Sequence, residues 1–171
     1  MADAVKTKYV VITRLFNAPR AKLWQAWTDP EVFKKWWGPE GSSAPVIQID
    51  ARPGGKFLGA MEGDAHMGVF AGKRMFSTGT YKEVVPMEKI VITDVFSDEH
   101  GNVLKPAEMM PGLDDWPEES LLTVTFEDAG QGKTKLTIKH GPFPEGTQFE
   151  NTNAGWNSSL NKLAKAVAGG R

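Results

Sequence analysis

The stretch "TQFENTNAGWNSSLNKLAKAVAGG", residues 147–170, decides how the rest of the chain is read. Thr147 and Glu150 form a capping-box pattern. Phe149, Asn153, Trp156, Leu160, Leu163 and Val167 then recur at spacings alternating between four and three. Gly169-Gly170 supplies the stop. The spacing predicts one long amphipathic helix. Its stripe is leucine and valine toward the end, but Asn153 and Trp156 put larger or more polar groups in its first half.

Everything before that helix that has a clear period is mostly two-periodic. "KYVVITRLF" alternates, with Val10, Ile12 and Phe16 on one face and Val11, Thr13 and Leu15 on the other. "VIQIDAR" and "KFLGAME" flank Pro53-Gly54-Gly55 as a hairpin. "MFSTGTYKEVV" ends at Pro86 and is followed by "IVITDVF", and "LLTVTFE" and "TKLTIKH" are joined by "DAGQGK". Six or seven antiparallel strands are expected.

Two short helices interrupt this pattern after the first strand. Arg20 to Trp27 places Leu23 and Trp27 on one face. Asp29 then offers an N-cap and Pro30 the first helical position, with Phe33, Trp36 and Trp37 at i, i+3 and i+4 and Gly38-Pro39 as the stop. Adjacent helical positions differ by roughly 100°. Trp36 therefore reads as a core anchor and Trp37 as the indole that reaches a concave wall.

A strand, two short helices, a run of antiparallel strands and a long final helix is the order of the helix-grip fold, an α+β fold in which a curved sheet wraps the last helix. "RLFNAPRAKLWQAWTDPEVFKKWWGPEG", "IDARPGGKF", "GTYKEVVPMEKIVIT", "LTVTFED" and "GWNSSLNKLA" together resemble the SRPBCC (START/Bet v-like) superfamily. Within it they resemble homologues of the C-terminal domain of the heat-shock-protein-90 ATPase activator. The resemblance runs from about Tyr9 to Val167. It implies a cavity between sheet and helix, and the superfamily includes lipid carriers, hormone receptors and polyketide cyclases. The co-chaperone's separate N-terminal domain has no counterpart in these residues.

The expected function is binding of a small hydrophobic molecule in that cavity. Trp37, Phe57, Met61, Phe76, His140, Asn153 and Trp156 are the expected lining, with Met109 and Trp116 from the long loop 97–119 closing over it. Gly59, between Phe57 and Met61, leaves either hollow space or relief of sheet curvature. His140 alternates with Leu136 and Ile138, and Asp94 with Ile90 and Ile92, so both ionisable groups fall on apolar faces. Each reads as a satisfied structural residue or, in an enzyme of the cyclase or hydrolase type, as a general base. Arg14, Arg74 and His140 are the candidate partners of Asp94. The remaining alternative is a co-chaperone-like domain with a chaperone as partner.

The totals fit a single domain spanning 1–171, with frayed ends at about 1–7 and 169–171. Of 171 residues, 40 % are apolar and 24 % charged, and the formal charge of -1 offers no field for nucleic acid. The chain has no cysteine, so thiolate chemistry and disulfides are absent. "GGKF" lacks the spacing of a phosphate loop, and His66, His100 and His140 are too scattered for a metal site, so no cofactor and no metal are expected. No apolar run approaches a membrane span and the opening segment does not read as a signal peptide, so a cytoplasmic monomer or homodimer is expected.

Overall fold

The computed structural model describes residues 6–65, 71–109 and 112–168. Most of the two termini, together with His66 and Met110, lie outside the described residues. The elements run β1 (Thr7–Phe16), α1 (Arg20–Thr28), α2 (Pro30–Phe33), β2 (Ser42–Ile49), β3 (Lys56–Gly63), β4 (Arg74–Val85) and β5 (Lys89–Ser97). They continue with α3 (Pro106–Met109), β6 (Ser120–Gly130), β7 (Lys133–Pro144) and α4 (Thr147–Ala168). The seven strands form one antiparallel sheet in the order β1-β7-β6-β5-β4-β3-β2. Helices α1, α2 and α4 pack on its inner face, which is the helix-grip arrangement.

The turns follow from their residues. Between β6 and β7 only Gln131 and Gly132 separate the last paired residues, and both have positive φ, 55° and 71°, as a tight primed hairpin requires. Between β2 and β3, a Cβ on Gly55 would collide with the Asp50 carbonyl, so glycine is required there. Gly54 N–H and the Gly55 carbonyl then bond Tyr81 of β4 at 2.8 and 2.9 Å, pinning the hairpin to its neighbour.

Alternation settles the inner face. Val10 and Phe16 are buried on β1 while Val11 and Leu15 are each 59 % exposed. On the same inner side Arg14 reaches α4, donating to Asn161 Oδ1 at 2.6 Å and to the Asn157 carbonyl and Oδ1 at 3.0 Å. One core cluster joins the helices to the sheet through Leu23, Trp27, Phe33, Trp36, Phe126, Leu136, Ile138, Leu160 and Leu163. Leu160 and Leu163 are fully enclosed, each a gain of about 1.5–3 kcal/mol from apolar burial. A second, smaller cluster gathers Val10, Phe143 and Phe149.

Two local expectations are corrected. The first α-helical bond of α4 runs from Glu150 N to the Gly146 carbonyl at 3.1 Å, so Gly146 holds the cap position and Thr147 the first helical one. The second short helix ends at Phe33, four residues before Trp37. The chain continues through looser turns, including Trp36 N to Phe33 O at 3.2 Å, before Gly38 takes φ +99°.

Candidate ligand hollow

That turn is held from α4. Ser159 Oγ accepts from Gly38 N–H at 3.1 Å and donates to the Trp36 carbonyl at 3.0 Å. Lys162 Nζ donates to the Gly38 carbonyl at 3.1 Å, and its burial lowers its proton affinity below the usual lysine value, against an opposing pull from Glu40. The clamp separates the two adjacent indoles. Trp36 is fully buried and its Nε1–H donates to the Ala26 carbonyl at 2.9 Å. Trp37 lies against Phe33 and Phe57, with ring centres 5.5 and 5.7 Å away, and lines a hollow between the sheet and the helices.

Aromatic rings and aliphatic side chains build the hollow. Trp27, Phe33 and Trp37 come from the segment after β1, Phe57 and Tyr81 from the sheet, and Trp156 from α4. Ile90, Ile92 and Leu122 form the floor. Gly59 does not add to the void: a Cβ there would stand 2.7 Å from Phe57 Cζ and 3.0 Å from Trp37 Cζ3, so those two rings occupy the space the missing side chain leaves. The hollow has a volume of about 60 Å³. A single water needs about 10–15 Å³ by such a measure, so the hollow exceeds one water several-fold and is well below the volume of a bilayer lipid.

Register brings polar groups to one end of it. Tyr81, Ile92, Leu122, His140 and Val10 form a single cross-strand row over five strands. Two pairs further along, on the same face, Asp94 meets Ser120. His140 Nε2 is therefore within 2.9 Å of Asp94 Oδ2 and 3.1 Å of Ser120 Oγ. From α4, Trp156 Nε1–H donates to His140 Nδ1 at 3.0 Å. An indole can only donate. Nδ1 must then carry the lone pair and Nε2 the proton that it gives to Asp94. The Asp94 side chain is 39 % exposed against 8 % for His140, so the carboxylate marks the mouth.

These contacts decide what the cluster can do chemically. A nucleophilic triad needs serine on one ring nitrogen and carboxylate on the other. Here Asp94 and Ser120 share Nε2, and the only lone pair on the ring is taken by Trp156. His140 as arranged is a relay between an indole and a carboxylate, without a free base. Arg14 and Arg74 do not serve Asp94: Arg14 binds α4, and Arg74 pairs with Glu62 at 3.1 Å.

Of the residues expected to line the hollow, Trp37, Phe57, His140 and Trp156 do so. Met61 lies further along the β3 face, within 3.5 Å of where a Gly38 Cβ would stand. Phe76 is on the other face, because Ser77, Gly79 and Tyr81 alternate inward and Phe76 pairs with Ala60 and Ser97 on the outer row. Asn153 sits a turn too early on α4, its carbonyl accepting from Asn157 Nδ2. Met109 ends α3 and Trp116 stacks on Phe143 at 4.4 Å within the second cluster, and neither is among the residues that line the hollow. Sequence reading passed over Trp27, Phe33, Tyr81 and Leu122, although the alternation through Ser77, Gly79 and Tyr81 was available to find Tyr81. Among the described residues no group of three or more His, Asp or Glu side chains could hold a metal ion, and no helix is long and apolar enough to cross a membrane.

A curved antiparallel sheet gripping a terminal helix over a small aromatic hollow defines a helix-grip domain of the SRPBCC class, an architecture that supports a ligand-binding or co-chaperone-like domain. The chain belongs to the family described as "Activator of Hsp90 ATPase homolog 1-like protein", whose profile matches residues 17–168. Solved structures agree. A protein of Chromobacterium violaceum is 29% identical, with 93% of this chain and 96% of that one covered and a TM-score of 0.74. One of Staphylococcus epidermidis is 26% identical over 98% and 94%, with a TM-score of 0.70. An AHSA1 protein of Silicibacter pomeroyi, 22% identical over 94% and 98% with a TM-score of 0.72, shares the fold. No curated protein matches the chain.

Proposed function

We propose that this protein binds a compact, largely apolar small molecule in the hollow between the sheet and α4. The observation that carries the reading is the composition of the walls: tryptophan, phenylalanine and aliphatic side chains enclose a space with one polar end, which is how small-molecule sites combine affinity with orientation. Size narrows the class. An apolar cavity of about 150 Å³ holds a benzene ring. The hollow's volume of about 60 Å³ takes only a few heavy atoms, so the rest of a ligand extends toward the mouth beside Asp94. Long-chain lipids do not fit this arrangement.

Tryptophan fluorescence during titration with ethylbenzene tests it. Saturable quenching is expected in the natural protein and a large loss of affinity in Ser77→Phe, which puts a ring into the hollow from β4. Equal quenching in both proteins contradicts the assignment.

A second reading has its own support. Tyr9, Val11 and Leu15 of the edge strand β1 are 41 %, 59 % and 59 % exposed, an apolar row on a strand with one unpaired side, as β-strand addition by a protein partner uses. The family's description supports an Hsp90-type chaperone as that partner. On this reading Val11→Lys abolishes stimulation of the chaperone's ATPase while leaving ethylbenzene quenching intact. Unchanged stimulation removes it.

A further inference from the structure

Charge is unevenly distributed around the hollow. Rings and aliphatic side chains make most of the lining, and Ser77 and Thr93 add neutral hydroxyls, of which Thr93 Oγ1 already accepts from Thr80 N–H at 2.8 Å. Asp94 is the one acidic residue there, and no lysine or arginine lines the hollow. His140 does not balance it. Its Nδ1 accepts from the Trp156 indole at 3.0 Å, so the ring is neutral and its single proton, on Nε2, goes to Asp94 Oδ2 at 2.9 Å. The lining therefore carries one negative charge and no cation.

The carboxylate also has capacity to spare. Its two oxygens offer about four acceptor positions, of which the His140 proton takes one on Oδ2. That bond holds the group against a ring that is itself part of the wall. The Asp94 side chain is 39 % exposed, so a molecule seated in the hollow with its head at the mouth can reach it.

An anionic head placed there meets a like charge with no cation among the lining residues, which disfavours it. An ammonium head meets the opposite charge. Its hydrogen bond to a carboxylate is charge-assisted and about twice as strong as a neutral one. At a half-exposed rim it also keeps water on its outer side, which avoids most of the cost of burying a cation.

We propose that Asp94 receives the ammonium of a small organic amine whose apolar end enters the hollow, so that the occupant is a short alkyl or arylalkyl amine held tail inward. This rests on the reading of the hollow as a small-molecule site and adds the ligand's charge and orientation to it. The apolar end must be free to enter. A lysine of a protein partner, whose ammonium is itself the free end of the side chain, does not fit, and neither do carboxylates such as fatty-acid anions.

Ethylbenzene, benzylamine and benzyl alcohol are nearly isosteric and differ at one end: methyl, ammonium or hydroxyl. Benzoate supplies the opposite charge. Each is titrated near neutral pH into the ¹⁵N-labelled full chain and followed at the Trp156 indole N–H, which bonds His140 beside the hollow. If Asp94 plays no part, the alcohol binds at least as well as the ammonium, which is the more strongly hydrated. The opposite order is expected. Benzylamine binds at least about five-fold tighter than benzyl alcohol and at least about ten-fold tighter than benzoate. In Asp94→Asn, whose amide oxygen can still accept from His140, the benzylamine advantage disappears. In Glu127→Gln, which removes an exposed carboxylate paired with Lys135, it remains.

Benzyl alcohol or benzoate binding as tightly as benzylamine overturns the proposal. So does an advantage that survives Asp94→Asn, or one that Glu127→Gln removes equally, since that would mark a general charge effect. Saturable ethylbenzene binding in any of these cases leaves the hollow a general apolar site. No saturable response to any of the four probes removes the small-molecule reading itself. The probe comparison needs only the natural protein, so it stands even if Asp94→Asn does not fold.

Discussion

Tyr81 shows how much a single residue's surroundings determine. Its ring belongs to the wall of the hollow and its burial, reinforced by the negative charge of Asp50, pushes the phenol well above its ordinary ionisation range. Below about pH 10 the phenol is protonated in both folded and unfolded chains and contributes no pH dependence. Above it the unfolded chain loses the proton while the folded one keeps it, so stability falls as pH rises. Urea denaturation between pH 8.5 and 11 is expected to show that decline in the natural protein and a flatter profile in Tyr81→Phe. Identical slopes would mean that the hydroxyl is not desolvated. His140 carries the corresponding lesson about reading sequence. Alternation alone places it and Asp94 on apolar faces, and both do lie inward. What alternation does not contain is register: that Ile92 meets Leu122 and Leu122 meets His140 is fixed by long-range pairing, and only this sets carboxylate and imidazole at 2.9 Å. The donor from Trp156, which takes the lone pair a base would need, comes from a different layer of the structure altogether.

Among the elements, α4 does more than fill the sheet. Its buried Leu160, Leu163 and Val167 were legible from their spacing, because burial of a helix face follows the helical period. The polar contacts on the same helix were not. Ser158, Ser159 and Lys162 bond Glu40, Gly38 and Trp36 across more than a hundred residues of sequence, and nothing local marks two serines as clamps. Ser159→Ala strands a buried amide and a buried carbonyl, a loss of about 1–3 kcal/mol. Because both groups belong to the turn that aims Trp37, the substitution is expected to speed hydrogen exchange at Gly38 more than at β6 or β7 amides. Uniform acceleration would indicate general destabilisation with no local clamp. The loop 97–119 is the element most misread from sequence. Its methionine and tryptophan content fits a cover, but Trp116 finds a flat partner in Phe143 and so becomes part of the second cluster.

At the scale of the whole molecule, one sheet and the helices on its inner face share a core that several elements must fill together. Here large rings from four different elements crowd toward the same point: Trp27 from α1, Trp37 from the turn, Phe57 from β3 and Trp156 from α4. They leave about 60 Å³ between them, with a carboxylate at the rim. The claim that this space is a ligand site and not a packing residue is tested most directly by methyl resonances of Ile90, Ile92 and Leu122 during titration with ethylbenzene. The account predicts saturable shifts at these three floor residues, with Val11 and Leu15 on the outer face unmoved. Shifts that never saturate, or that appear equally on the outer face, would contradict it.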